Sequence, residues 1–151
     1  MRKFCKFLPV LWIGLAMLAC GSSHPSRELR IQLAPNTSTI AVGSSVVINA
    51  QTSPALPKNY GSLTWMVKGF GITCTETVAD PANALPMPGC SSGWLAYAQP
   101  GQGFTPTVVY YHAATIPGSF TVMVNGVISD SSGQTIQNVG SAAAFVTVKT
   151  Q

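Results

Sequence analysis

The run Leu63-Thr64-Trp65-Met66-Val67-Lys68 reads as a β-strand. Side chains of an extended chain alternate between two faces, so Leu63, Trp65 and Val67 share one and Thr64, Met66 and Lys68 the other. An apolar face backed by a mixed one marks a strand with one side on a core. A Trp at the centre of the apolar face is expected to plug the space between two packed sheets.

The same texture continues on both sides. Upstream, Ile31 and Leu33, then Ile40 and Val42, outline a first strand split by Pro35-Asn36. Gly43-Ser44 turns the chain into Ser45–Gln51, where Val46, Ile48 and Ala50 alternate with Val47, Asn49 and Gln51. Downstream, strands are expected at Gly93–Ala98, Thr105–His112, Ser119–Ser129 and Ala142–Lys149. In the last of these Ala144, Val146 and Val148 fall on one face. No 3.6-residue period persists for ten residues without Pro or Gly. About seven short strands with frequent turn signals predict an all-β sandwich over residues 29–149. Asn125-Gly126 is a type I′ hairpin signal that would split Ser119–Ser129. The preferred reading is one long bulged strand that turns at Asp130-Ser131-Ser132-Gly133. Residues 69–93, with two cysteines and Pro81, Pro86 and Pro88, are expected to form one long stapled connection.

Ahead of the domain, Arg2, Lys3 and Lys6 precede an apolar run of thirteen residues, Phe7–Ala19. A membrane span takes about 20 apolar residues, and the run has instead the length of a signal-peptide core. Met17-Leu18-Ala19-Cys20 resembles the lipobox of bacterial lipoproteins, with Met17 where Leu is commoner. The resemblance implies removal of residues 1–19, lipid attachment at Cys20 and a membrane-tethering segment over 20–28. Gly21 stands where many lipoproteins retained in the inner membrane carry Asp. The resemblance therefore implies the outer membrane in a diderm cell, and otherwise the outer face of the cytoplasmic membrane.

Cysteine usage follows from that cut. Cys5 leaves with the signal peptide and Cys20 carries lipid, so Cys74 and Cys90 remain outside the cytosol. Two thiols in an oxidising compartment admit a single pairing. A redox pair or half a metal site are the alternatives, but there is no Cys-x-x-Cys, and His24 and His112 are the only imidazoles. A structural disulfide is the favoured reading.

The motifs Ile31-Gln-Leu-Ala-Pro, Ile40-Ala-Val-Gly43, Val46-Val-Ile-Asn-Ala and Leu63-Thr-Trp65 together resemble bacterial immunoglobulin-like (Big-type) domains. So do Val109-Tyr-Tyr111-His-Ala-Ala-Thr-Ile-Pro117-Gly-Ser-Phe-Thr-Val122 and the closing Ala144-Phe-Val-Thr-Val148. Ala114 stands where the family usually has Pro, and segment 69–93 is longer than in simple members. The resemblance implies a sandwich used as a stalk, spacer or adhesive module on a bacterial surface, with no conserved catalytic site.

Catalysis needs acids, bases or nucleophiles gathered in a cleft. After the cut the acids are Glu28, Glu76, Asp80 and Asp130. Glu28 and His24 belong to the tether, Asp130 suits a turn, and His112 closes a strand where a solvent-facing ring is the plain expectation. Glu76 and Asp80 are the one pair suited to a small hydrolase or a weak Ca²⁺ site, without an oxygen-rich loop to support it. The reading is no enzyme, no cofactor and no metal. Trp94, Tyr97 and Tyr60 lie in or beside connections, where rings stack on sugars or anchor a partner. Covering the core edge and shielding the disulfide is the plainer role for them. Trp94 and Tyr97 are the candidate ligand-binding pair. The expected partners are the membrane, through the lipid, and an envelope or surface protein. A carbohydrate-binding lipoprotein is the alternative.

The chain of 151 residues carries a formal net charge of +4, a value that raises nucleic acid as a partner. Three of its eight basic residues leave with residues 1–19. Arg27, Arg30, Lys58, Lys68 and Lys149 then face four acids, which removes the basis for nucleic-acid binding. Sparse charge remains, and suits a Ser/Thr/Gly-rich surface sandwich.

Overall fold

Burial in alternate positions along the strands, with one exception near the disulfide, organises the structure. The computed structural model describes residues 30–53, 55–57, 61–98, 106–113, 115–129 and 131–151. Nine strands occur among them: β1 (Arg30–Ala34), β2 (Thr37–Ala41), β3 (Ser45–Ser53), β4 (Gly61–Lys68), β5 (Cys74–Val78), β6 (Trp94–Ala98), β7 (Val108–His112), β8 (Gly118–Ser129) and β9 (Thr135–Lys149). They form a five-stranded sheet in the order β1-β3-β7-β6-β5 and a four-stranded sheet in the order β2-β9-β8-β4. With β2 and β5 set aside, β1-β3-β7-β6 against β9-β8-β4 is the strand order of an immunoglobulin-like sandwich.

The first strand is split as expected. Pro35 has no N–H to give a ladder, and after Pro35-Asn36 the chain changes sheets, so β1 pairs with β3 and β2 pairs with β9. On β4, Leu63, Trp65 and Val67 are buried and Thr64, Met66 and Lys68 exposed, as the alternation requires. The Trp65 ring joins the core and its Nε1 donates to the Pro106 carbonyl at 2.8 Å. Ile48, Leu95, Val109, Tyr111, Phe120, Val122, Val124, Val146 and Val148 complete that inter-sheet core. Asn125-Gly126 lies inside β8, paired with Ser141 and Gly140, and the register shifts immediately after it. It is a bulged strand, not a hairpin turn.

Two expectations are corrected. The 69–93 segment is not merely a connection: it contributes β5, parallel to β6, and a short 3-10 turn at Pro81–Asn83. Its Cys74-Thr-Glu-Thr-Val78 run has the β-branched alternation of a strand, masked by the prolines that follow. The last strand starts at Thr135 rather than Ala142, because its first half pairs with the end of β8 beyond the bulge. Cys20, residues 1–28 and Tyr60 lie outside the described residues.

Candidate functional site

Cys74 and Cys90 are joined by a disulfide, with Cα atoms 5.7 Å apart across 16 positions of sequence. The bond pins residues 79–93 back over the five-stranded sheet as a flap. Beneath it lies a second, smaller cluster of Cys90, Trp94 and Ala96, packed with Cys74, Val78, Ala84 and Met87. The neighbouring Leu95 points the other way, into the inter-sheet core. Trp94, Leu95 and Ala96 are therefore all buried, since both faces of β6 are covered. A Trp94-Leu95-Ala96-Tyr97-Ala98 run is continuously apolar, and that is the signal by which a doubly covered strand is legible.

His112 is the correction with most consequence for the site. It is only 6% exposed rather than solvent-facing. Its Nε2 sits 2.9 Å from the Pro81 carbonyl. A carbonyl only accepts, so Nε2 carries the proton. The ring stacks on Trp94, opposite it on the adjacent strand, with centroids 4.7 Å apart and planes 6° from parallel. Tyr110, half-buried, stacks on the His112 ring at 6.3 Å. The turn that presents Pro81 is itself capped: Asp80 Oδ1 accepts from Ala82 N at 3.2 Å and Oδ2 from Asn83 Nδ2 at 2.8 Å. Asp80 is thus engaged in building the flap, while Glu76 sits on β5 opposite Ala96. Among the described residues, no three His, Cys, Asp or Glu side chains gather as a metal-binding group.

The flap is also tied at its far end. Tyr111 Oη donates to the Ser92 carbonyl at 3.0 Å, Ser91 Oγ accepts from Ile72 N at 2.9 Å, and Ser92 Oγ donates to the Phe70 carbonyl. Burial pushes the Tyr111 phenol above its ordinary pKa. Gly93 ends the flap at φ 82°, where a Cβ would strike the His112 carbonyl.

Trp94 and Tyr97 are not brought together. Three positions apart on one strand, they lie on opposite faces. Trp94 is in the flap cluster at 7% exposure, with one ring face against His112. Tyr97 packs against the inter-sheet core, beside Leu63, Trp65, Thr75 and Pro106. Neither is an exposed loop aromatic. Residues the sequence reading did not single out for the site are Met87, Tyr110 and Ile116.

Between Pro86–Ser91 of the flap and the end loops carrying Gly43, Ala113, Thr115 and Ile116 lies a cavity of about 450 Å³, with Trp94 in its lining. It opens at the Ser45 end of β3, whereas the chain enters the sandwich at Arg30, opposite Ser53. Eight residue-to-residue steps of strand separate Ser45 from Ser53, roughly 27 Å at about 3.4 Å per step.

Fold and site together define a two-sheet β-sandwich whose five-stranded sheet carries a disulfide-stapled flap over β6. Set against known proteins, the chain matches no family model and no curated sequence.

Proposed function

We propose that the chain is a lipid-anchored, non-catalytic protein of the bacterial cell envelope, held at Cys20. Its single immunoglobulin-like domain, of the Big type its motifs resemble, acts as a structural or protein-interaction module. The Cys74–Cys90 disulfide carries this reading, because such bonds persist in oxidising compartments and here one holds an entire flap closed. It agrees with an N-terminus patterned for export. The four-stranded sheet supports a protein partner: β2, β4, β8 and β9 carry no carboxylate, and Met66 and Phe145 stand exposed on it, Phe145 by 59%. The carbohydrate reading needs Trp94 and Tyr97 on one platform, and their opposite faces favour the protein partner instead.

Growth with an alkyne fatty acid tests the anchor. Label in the wild-type chain and none in Cys20→Ser is expected, and label retained in Cys20→Ser overturns it. A photocrosslinking residue at position 145 tests the partner in intact cells. A defined protein adduct there, absent when the probe sits at position 85 on the flap, is expected. Equal adducts at both positions, or none, reject this face as the docking surface.

A further inference from the structure

Two hydrogen bonds at its ends fix which backbone groups of β4 point away from β8. Gly61 N donates to the Pro57 carbonyl at 2.9 Å, and the Val67 carbonyl accepts from Thr73 Oγ1 at 3.1 Å. Along an antiparallel strand the N–H and C=O of every second residue share one direction, so Leu63 and Trp65 turn theirs to the same outer side. On that side no partner for either backbone occurs among the described residues. β4 is the edge of its sheet, and it presents a short window of open backbone between two closed ends.

The other sheet reaches further. β4 lies across from β6, and β5 extends the five-stranded sheet one strand beyond it. Cys74 and Val78 of β5 pack under the flap, so Thr75 and Thr77 project from the opposite face, where both are exposed. Between this shelf and the β4 edge lies a cavity of about 310 Å³, lined by Leu63, Thr64, Trp65, Thr75, Tyr97 and Pro106. A strand laid on β4 takes the position facing β5. A second sandwich brought edge-on carries its own second layer, which collides with β5, so the shelf admits one extended segment and not another domain.

Charge narrows the choice of segment. β4 and the rest of its sheet carry no carboxylate, and Glu76 alternates with Thr75 and Thr77 and so faces the flap side. Lys68 stands exposed at the end of β4.

We propose that the β4 edge binds an extended peptide segment of a partner protein as an added antiparallel strand. The two guest residues opposite Leu63 and Trp65 make the backbone bonds and, sharing the inward face, place β-branched apolar side chains in the cavity. The alternate guest residues face outward, with an acidic one diagonal to Lys68. This edge is distinct from the outer face around Phe145, and its role holds whether or not that face docks a partner.

The probe is acetyl-Ser-Glu-Val-Thr-Val-Ser-Ser-amide, and the readout is amide exchange in the full ¹⁵N-labelled chain. In the chain alone the Leu63 and Trp65 amides are expected to exchange far faster than those of Thr64 and Met66, which face β8. The peptide is expected to protect both saturably. N-methylation of its two valines is expected to weaken binding at least about tenfold, because it removes the donors that face β4. N-methylation of its Glu and Thr, whose N–H groups face solvent, is expected to leave binding unchanged. Lys in place of the Glu is expected to bind at least about threefold more weakly, and Lys68→Glu to reverse that preference. Thr75→Trp, at an exposed strand position, is expected to block the peptide with exchange in β8 and β9 unaltered. Leu63 and Trp65 amides already protected in the chain alone overturn the proposal. So does protection that grows with protein concentration without peptide, which marks a second copy as the occupant. Absence of saturable protection, or equal binding of the valine-methylated peptide, overturns it as well.

Discussion

Trp94 and His112 face each other across β6 and β7 with their rings stacked, and the imidazole reaches on to the Pro81 carbonyl. One side chain thus links the sheet, the indole and the flap. His112→Ala removes the stack and the hydrogen bond together and is expected to lower stability by about 2–3 kcal/mol in urea unfolding. His112→Phe keeps a ring on Trp94 and is expected to recover part of that loss, so a Phe variant as unstable as the Ala variant counts against the stack.

Removing the staple acts on the flap first. The Cys74→Ser, Cys90→Ser double variant is expected to lose about 3 kcal/mol, the chain-entropy value for a loop of this size. Amide exchange over residues 79–93 is expected to accelerate by far more than exchange in β8 and β9. Uniform acceleration across the domain means that the flap and the sandwich unfold as one unit.

Tyr111 sets an alkaline limit. Its phenol is buried and raised in pKa, so the folded state favours the neutral form. The stabilisation is complete below about pH 10, where the phenol of the unfolded chain is also neutral, and is lost as pH rises beyond it. Tyr111→Phe is expected to cost about 1–2 kcal/mol at neutral pH, by orphaning the Ser92 carbonyl, and to flatten the alkaline limb. Unfolding curves between pH 7 and pH 11 check both effects.

Two glycines of the flap separate backbone cost from collision. Gly89 and Gly93 both sit at φ 82°, but a Cβ at Gly89 meets open space while one at Gly93 meets the His112 carbonyl and the Tyr111 ring. Gly89→Ala is expected to cost about 1–2 kcal/mol and Gly93→Ala clearly more, at least about 3 kcal/mol. Thermal melts of the two variants give the comparison.

The inter-sheet core was legible because its residues alternate. Leu63, Trp65 and Val67, or Ala144, Val146 and Val148, announce their face by a period of two. The flap was not legible in the same way. Its cover over β6 arises from a disulfide and a turn that bring distant residues together, and Cys74-Thr-Glu-Thr-Val78 is a short strand surrounded by turn residues. His112 illustrates the difficulty: nothing in its neighbours states that the carbonyl of Pro81, 31 positions away, will accept its N–H hydrogen bond. The separation of Trp94 from Tyr97, by contrast, follows from strand geometry alone.

The flap also makes the two outer faces of the sandwich unlike. The five-stranded sheet is covered around Trp94 and Ala96 of β6, while β2, β9, β8 and β4 carry Met66 and Phe145 in the open. Copies meeting broadside through that surface use the same patch twice, and such a pairing is complete at two. A staple that hides one tryptophan thereby keeps the face around β6 from serving as a second such surface, so the pairing has nowhere there to continue.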